Sequence, residues 1–354
     1  MWQALPFKAQ DLVFLLCVFA ATSLALRHYI KALKHRNILE DITERSLHTM
    51  PVPTGGGWVV IGCIAISLLV YAKGLSNTEA KILGCVLVLA GVSWIDDLKS
   101  LTPAIRFAVH VACVALALST VEPDVHILPI HMGFVIDRFV VALAWVWLIN
   151  LYNFMDGIDG MAACDSIQMF LGFVLLGLLV GIERNSLIVA MAAIAACASF
   201  LRWNWNPSSV LLGDVGSIPF GFLIGWFLLD ITLKGYFAAA LILPLYYLFD
   251  ATSTLLVRLA RGQKIFKPHR EHFYQRAVLG GLTHGDVVVR VSIARFVLIA
   301  LALASVRWPV PSLIAAVLVA GGTLAMLERE ARRGGGGLPF LASVGGRLER
   351  DRSS

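Results

Sequence analysis

Charge is the first thing this sequence lacks. Only 15% of its 354 residues are Asp, Glu, Lys or Arg, 58% are hydrophobic, and the mean hydropathy is +0.79. Soluble domains run at about 45–50% apolar and about 25% charged. A water-solvated globule is therefore excluded, and an outer surface solvated by a lipid bilayer is expected. Cysteine is sparse as well. The six present (Cys17, Cys63, Cys85, Cys113, Cys164 and Cys197) lie nearly all inside apolar runs with no CxxC pair, which excludes a disulfide or zinc framework. The glycine-rich stretch at 55–57 lacks a GK[ST] ending, so nucleotide hydrolysis by a P-loop is excluded too. A net charge of +6, with Lys and Arg in loops between apolar runs, argues against a nucleic-acid partner. No internal repeat is visible. The first apolar run, Leu12 to Ile30, has no small-residue cleavage site and reads as a span, not as a cleaved leader.

What is present is a succession of apolar runs near the length of about 20 residues that a bilayer core demands of a helix. They fall near 11–30, 58–73, 82–95, 104–120, 139–155, 162–181, 187–201, 216–233, 236–257, 290–306 and 309–327. The expected fold is an all-α polytopic membrane protein of about eleven transmembrane helices, with residues 1–327 as one catalytic domain. Residues 121–138, broken by Pro123 and Pro129, read as an external loop, and 328–354, with Gly334 to Gly337 and scattered Arg, as a flexible basic tail. Parity puts the loops 31–57, 96–103, 156–161, 202–215, 258–289 and 328–354 on one side, and most of the Lys and Arg lie there. The positive-inside rule makes that side cytoplasmic, leaving the amino terminus outside and the carboxyl terminus inside.

An ionisable residue at membrane depth costs about 2.5–3.5 kcal/mol on insertion scales, so each carboxylate beside a span needs a reason to be there. Asp96-Asp97 closes the third run; adjacent carboxylates repel unless a cation or proton shares the site, although two solvated interface charges would look the same. In Asn150-Leu-Tyr-Asn153-Phe-Met-Asp156-Gly-Ile-Asp159-Gly160, polar groups recur every third residue, a spacing that keeps them on one helix face. The glycines let the backbone leave the helix close to a ligand. Leu212-Gly213-Asp214-Val-Gly216-Ser217 precedes the eighth run, where Asp214 reads either as a helix cap or as a ligand of a hard cation. The long loop Lys267-Pro-His269-Arg270-Glu271-His272-Phe-Tyr274-Gln-Arg276 is dense enough in basic and aromatic groups to clamp a diphosphate, or merely to orient the chain. A weaker signal is Arg45-Ser-Leu-His48 with Pro53-Thr54-Gly55-Gly56-Gly57, a helix start that offers N–H groups to an anion. All five fall on the side that charge and parity independently make cytoplasmic.

In this order, Asp96-Asp97, Asn153-x-x-Asp156-Gly-x-Asp159-Gly, Leu212-Gly213-Asp214-x-Gly216-Ser217 and a late histidine loop resemble the polyprenyl-phosphate N-acetylhexosamine-1-phosphate transferases, the glycosyltransferase 4 family. The resemblance runs from about residue 40 to about 285. Members include the phospho-MurNAc-pentapeptide translocase of peptidoglycan synthesis and the enzymes that begin O-antigen or common-antigen synthesis. The translocase carries three consecutive histidines in the late loop. The stretch here, His269-Arg270-Glu271-His272, resembles the O-antigen-initiating branch more closely.

The resemblance implies that a UDP-activated N-acetylated sugar (GlcNAc, FucNAc and QuiNAc all suit it) gives its sugar-1-phosphate to undecaprenyl phosphate, releasing UMP. This is the first membrane step of O-antigen, hence lipopolysaccharide, or other surface polysaccharide. It also implies a bacterial inner-membrane location, an active site on the cytoplasmic face and Mg²⁺ with Mn²⁺ as a substitute; a homodimer stays open. In the implied mechanism Asp214 is the main metal ligand, with Asp97 a second. Asp96 or Asp97 deprotonates or positions the lipid phosphate, Asn150, Asn153, Asp156 and Asp159 hold the nucleotide and metal-bound diphosphate, and His272, Arg270 and His269 neutralise phosphate charge. Arg45, His48 and Thr54 guide the lipid phosphate. A membrane transporter, the competing class, would carry acids at mid-span and paired broken helices in two halves. Asp230 and Asp250 are the acids read as deep in late spans, and no half-to-half symmetry is visible.

Overall fold

Backbone N–H and C=O groups have no water to bond in hydrocarbon, so long apolar runs without proline satisfy them as helix. A computed structural model of the chain describes residues 7–35, 47, 51–71, 75–264 and 269–334. Among these residues there are thirteen helices and no strand. The first are α1 (Ala9–His35), α2 (Gly57–Tyr71), α3 (Asn77–Lys99), α4 (Pro103–Leu118) and α5 (Phe134–Phe154). α6 (Met161–Val180), α7 (Arg184–Asn204), α8 (Asp214–Leu233), α9 (Phe237–Ile242) and α10 (Leu245–Ala260) follow. Short α11 (Phe273–Leu279), then α12 (His284–Ala304) and α13 (Pro309–Arg333), complete the order.

Each of the eleven expected runs coincides with helix, but they are not equivalent. Eight described helices (α1, α3, α5, α6, α7, α8, α12 and α13) are long and apolar enough to cross a membrane. α2 and α4 are apolar but have only 15 and 16 residues. The run at 236–257 is not one helix: it breaks at Leu243-Pro244 into α9 and α10. Proline has no N–H to give the preceding turn, and its ring crowds the carbonyl four residues back. Two further boundaries move. α5 starts at Phe134 because Asp137 in its first turn accepts Ile127 N (3.1 Å) and Leu128 N (2.9 Å), holding the loop before it. α13 runs to Arg333, past the expected limit at 327, because Glu328 pairs with Arg332 one turn on (2.9 Å) and with Arg276 of α11. The remainder of the expected tail, 335–354, lies outside the described residues.

Local chemistry explains the other ends. Ser76 caps α3 by accepting Glu79 N (3.1 Å) while Glu79 accepts Ser76 N (2.8 Å). Thr283 and Asp286 do the same for α12. Pro103 and Pro309 open α4 and α13, where a missing N–H costs nothing. α8 lies at the centre, packed by α2, α3, α5, α6 and α9. Leu12, Leu16, Phe139, Leu143, Val310 and Leu318 point outward from peripheral helices, as lipid contact requires. At one end of the bundle, Arg184 donates to Asp11 (2.6 Å) and Tyr71 (2.9 Å), tying α7 to α1 and α2.

At the other end, non-helical backbone is braced by backbone. Residues 53–57 pair with 211–212 through Leu211 N to Pro53 O (2.8 Å), Gly56 N to Leu211 O and Gly57 N to Leu212 O (both 2.9 Å). This brings Gly57 against Gly216 so closely that a Cβ on Gly57 would overlap the Gly216 backbone and stand 2.9 Å from Leu212 O. Backbone cannot swing away as a side chain can. Gly57→Ala should therefore lower the thermal midpoint of the detergent-solubilised protein, at a cost of about 1–3 kcal/mol; an unchanged midpoint would rule out this close approach.

Candidate active site

Gly213 (φ +74°) lets the chain turn sharply into α8, and a Cβ there would stand 2.9 Å from Thr54 Oγ1. Asp214 is thus the first helical residue and its carboxylate makes no cap bond; Gly213 holds the cap position. The carboxylate instead meets α5: Asn153 Nδ2 donates to Asp214 Oδ1 (2.7 Å) and to Ser217 Oγ (3.0 Å). One amide thereby joins two motifs some sixty residues apart in sequence. The half-buried Asp214 sits at a helix start, where the peptide dipoles favour negative charge. Thr54, from the weakest of the five signals, lies directly against this turn.

The histidine loop is fastened to the same helix end. Asp250 of α10, fully buried, accepts Phe273 N (3.0 Å), Tyr274 N (3.3 Å) and Tyr246 OH (3.2 Å), and its Oδ1 lies 3.3 Å from His272 Nδ1. Asp250 was expected only as a deep acid; it anchors the start of α11. Tyr274 OH then donates to Phe154 O at the last residue of α5 (2.9 Å). Its hydroxyl lies where a Cβ on Gly157 would be, and His272 stacks on Phe154 (centroids 6.2 Å). Glu271 is held by Arg258 and by Arg261 (3.1 Å). Burial, helped by Asp250 and Asp156, pushes the Tyr274 phenol well up, so it stays a donor. His269 stands beside His272 (centroids 4.9 Å). Burial first, then the charges of His272 and Arg258, push it down to about 3. That shift favours the neutral imidazole.

The paired acids part company. Asp96 accepts Leu101 N (2.7 Å) and pairs with Arg106 (2.8 Å), so it ties the end of α3 to the start of α4. Asp97 is exposed and interacts electrostatically with Tyr29. The Tyr29 hydroxyl would stand 3.1 Å from a Cβ on Gly55, and Trp94 packs edge-on against Trp58 (5.5 Å). Tyr29 is thus a neighbour common to Asp97 and to Gly55. Asp159 is buried, and its Oδ2 receives Asn206 Nδ2 (2.8 Å) and Ser208 N (3.2 Å) with His284 Nδ1 at 3.3 Å. These contacts brace the 206–208 loop against α12, not the group around Asp214. Asn150 donates to Val146 O of its own helix (2.7 Å). Asp156 is half-buried beside Tyr247 and Tyr274, and Arg270 is exposed. Arg45 and His48 lie outside the described residues.

Among the described residues no three His, Cys, Asp or Glu side chains gather tightly enough to hold an ion alone. Mg²⁺ asks for only one or two carboxylates, with substrate phosphate oxygens completing its shell. Asp214, with its hard oxygen donors and one oxygen already oriented by Asn153, fits that demand.

Glycosyl transferase family 4 matches residues 80–232, which hold Asp96, Asp97, Asn153, Asp156, Asp159 and Asp214. A probable undecaprenyl-phosphate N-acetylglucosaminyl 1-phosphate transferase of Bacillus subtilis is 25% identical over 305 residues, 81% of each chain. The central part of the chain, residues 80–232, is thus similar to glycosyl transferase family 4. A phospho-N-acetylmuramoyl-pentapeptide-transferase of Streptococcus pneumoniae is 26% identical over 256 residues, 65% of this chain and 75% of its own. The sequence motifs do not include His284 or Asn206, and they do not show the anchoring part of Asp250 or the bond from Tyr274 to Phe154. A carboxylate in an apolar helix one loop before the histidines was the available signal for Asp250. Asp165 and Arg295, a buried pair between α6 and α12, also went unremarked, though each is an ionisable residue inside an apolar run.

The state of His269 has a measurable consequence. The unfolded chain takes up a proton there near 6.5, whereas the folded chain resists until about 3. Between those values the unfolded state binds more protons, so stability is present above pH 6.5 and declines as pH falls. His269→Gln should lose less thermal stability than the parent between pH 7 and pH 5; an equal acid loss in both would contradict a depressed His269.

Proposed function

We propose that the chain transfers an N-acetylhexosamine-1-phosphate from a UDP-sugar to undecaprenyl phosphate, releasing UMP, on the cytoplasmic face of a bacterial inner membrane. The observation that carries this reading is the Asn153 bridge to Asp214 and Ser217, at the same helix end to which Tyr274 fastens the His272 loop. Such a site gathers carboxylate, amide, imidazole and guanidinium groups where a water-soluble anion and a lipid-borne anion can meet. The relative of Bacillus subtilis, named for an undecaprenyl-phosphate acceptor and an N-acetylglucosaminyl 1-phosphate donor group, supports the substrate classes.

In the proposed reaction an oxygen of the lipid phosphate attacks the sugar-bearing phosphorus. A new P–O–P link forms, the bond from that phosphorus to the bridging oxygen breaks, and UMP leaves with the bridging oxygen. Asp97, exposed and within electrostatic reach of Tyr29, receives the proton of the lipid phosphate; Asp96, already engaged by Arg106 and Leu101 N, keeps the α3–α4 corner in place. Asn153 orients Asp214, and Asp156 lies on the turn between them and His272. Bound at Asp214, Mg²⁺ would supply charge neutralisation for the two phosphates. Exposed Arg270 supplies positive charge toward the diphosphate, and His272, held beside Asp250, supplies an imidazole.

A second reading, a muramyl-pentapeptide donor for peptidoglycan, is favoured by the relatives of Streptococcus pneumoniae. The loop sequence His269-Arg270-Glu271-His272 favours the simpler sugar, and we infer surface-polysaccharide initiation, of the O-antigen kind, from it. One assay tests all of this: UMP release and lipid labelling in sealed vesicles with a panel of UDP-sugars and UDP-MurNAc-pentapeptide. Inside-out vesicles should turn over UDP-GlcNAc or a 6-deoxy analogue, and right-side-out vesicles should not. Asp97→Asn should lower kcat by about 10²–10⁴, the range for a lost general base, and Asp214→Asn should abolish Mg²⁺-dependent turnover. Asp96→Asn should keep turnover within an order of magnitude of the parent, as expected of a structural salt bridge at a partly exposed corner. Turnover of the pentapeptide donor alone, activity from outside, or Asp96→Asn as the damaging change would each overturn the corresponding part.

A further inference from the structure

Arg295 has no exposed surface, although it lies in the middle of apolar α12. Five groups face its guanidinium. Nη2 pairs with Asp165 of α6, and Nη1 donates to Leu243 O (2.7 Å) while lying 3.4 Å from Met169 Sδ. The Tyr247 and Tyr246 rings lie under it, with centroids 4.7 and 5.9 Å away. A carboxylate, a carbonyl and two aromatic faces are all satisfied by a planar cation, and by few other groups. The position matters because Leu243 directly precedes Pro244, where the run at 236–257 breaks into α9 and α10. The contacts continue from there toward the candidate site. Tyr246, in the first turn of α10, donates to Asp250 (3.2 Å); Asp250 holds the amides of Phe273 and Tyr274 and faces His272.

We propose that Arg295 is a positioning residue for the transferase reaction: by fixing the α9–α10 break it sets Tyr246 and Asp250, and so holds the His272 loop against the end of α5. The proposal rests on the reading of the site given above only for its effect on turnover; the mechanical link stands on the contacts themselves. A buried cation also neutralises Asp165, and that simpler role predicts different outcomes. Replacing both charges by apolar groups of similar size leaves no orphaned ion, whereas removing one partner does.

The discriminating set is Asp165→Leu/Arg295→Met, Arg295→Lys and Tyr246→Phe, each in detergent-solubilised full-length protein. Three quantities are read: thermal midpoint, hydrogen exchange of the peptide covering 269–279, and UMP release with undecaprenyl phosphate and the UDP-sugar that the parent uses. The double variant should regain a near-parent midpoint, yet exchange 269–279 and lose kcat by about tenfold, the effect of one lost bond from a charged donor. Arg295→Lys keeps the charge without the planar fork and should show faster exchange at 269–279 with an intact fold. Tyr246→Phe, which leaves Arg295 untouched, should loosen the same peptide. Parent-like exchange at 269–279 in Arg295→Lys or Tyr246→Phe overturns the link, and so does a double variant with parent-like exchange and kcat. Because exchange needs no substrate, a parent protein without UMP release would sink the proposed activity while leaving this link to be judged on exchange alone.

Discussion

A single side-chain amide holds the candidate site together. Asn153, the next-to-last residue of α5, reaches Asp214 and Ser217 at the start of α8 and so joins those two motifs directly. The geometry depends on glycine. Gly213 turns the chain so that Asp214 begins the helix without capping it, and Gly57 and Gly216 allow two backbones to meet where any side chain would part them. The strand-like pairing of 53–57 with 211–212 satisfies backbone groups at a place where neither segment is helical. Irregular backbone is tolerated in a membrane protein where protein encloses it or water reaches it. That constraint explains why these turns collect at one end of the bundle.

Around that amide, carboxylates divide into those that are buried and brace and those that keep contact with solvent. Asp250, Asp159 and Asp165 are buried, and each lies beside a histidine or arginine: His272, His284 and Arg295. A buried charge with a partner is tolerable, and one stripped of it is not. Asp97, Asp156 and Asp214 keep contact with solvent. Chemistry on a polar substrate needs the second kind held in register by the first, and the Asp250–His272–Tyr274 connection to Phe154 shows how that register is kept.

Much of the fold was readable in the sequence, because apolar runs of membrane length constrain the backbone to helix whatever their neighbours do. The break at Pro244 was also in plain view, but a proline in a run does not by itself say whether the helix kinks or ends. The four principal motifs were recognisable from carboxylates set among glycines. Their internal division of labour was not. Asp96 and Asp97 are adjacent and chemically identical, and only the approach of Arg106 and the Leu101 amide separates them. Asp159 lies on the same turn as Asp156, yet its burial depends on Asn206, Ser208 and His284, which arrive from later in the chain. Long-range partners of this sort leave no local trace in periodicity or spacing. The intramembrane pair Asp165–Arg295 did leave one, two opposite charges in separate apolar runs, and a systematic pairing of such charges would have found it.

The account stands or falls on whether Asn153 and Asp214 act as one unit. A double-mutant cycle of Asn153→Ala and Asp214→Ala, read as the dissociation constant for UDP-GlcNAc in the presence of Mg²⁺, measures that directly. The two losses should fall short of additivity by about 0.5–3 kcal/mol, as for residues in direct contact. Strict additivity would contradict the shared site, however severe each single substitution proved to be.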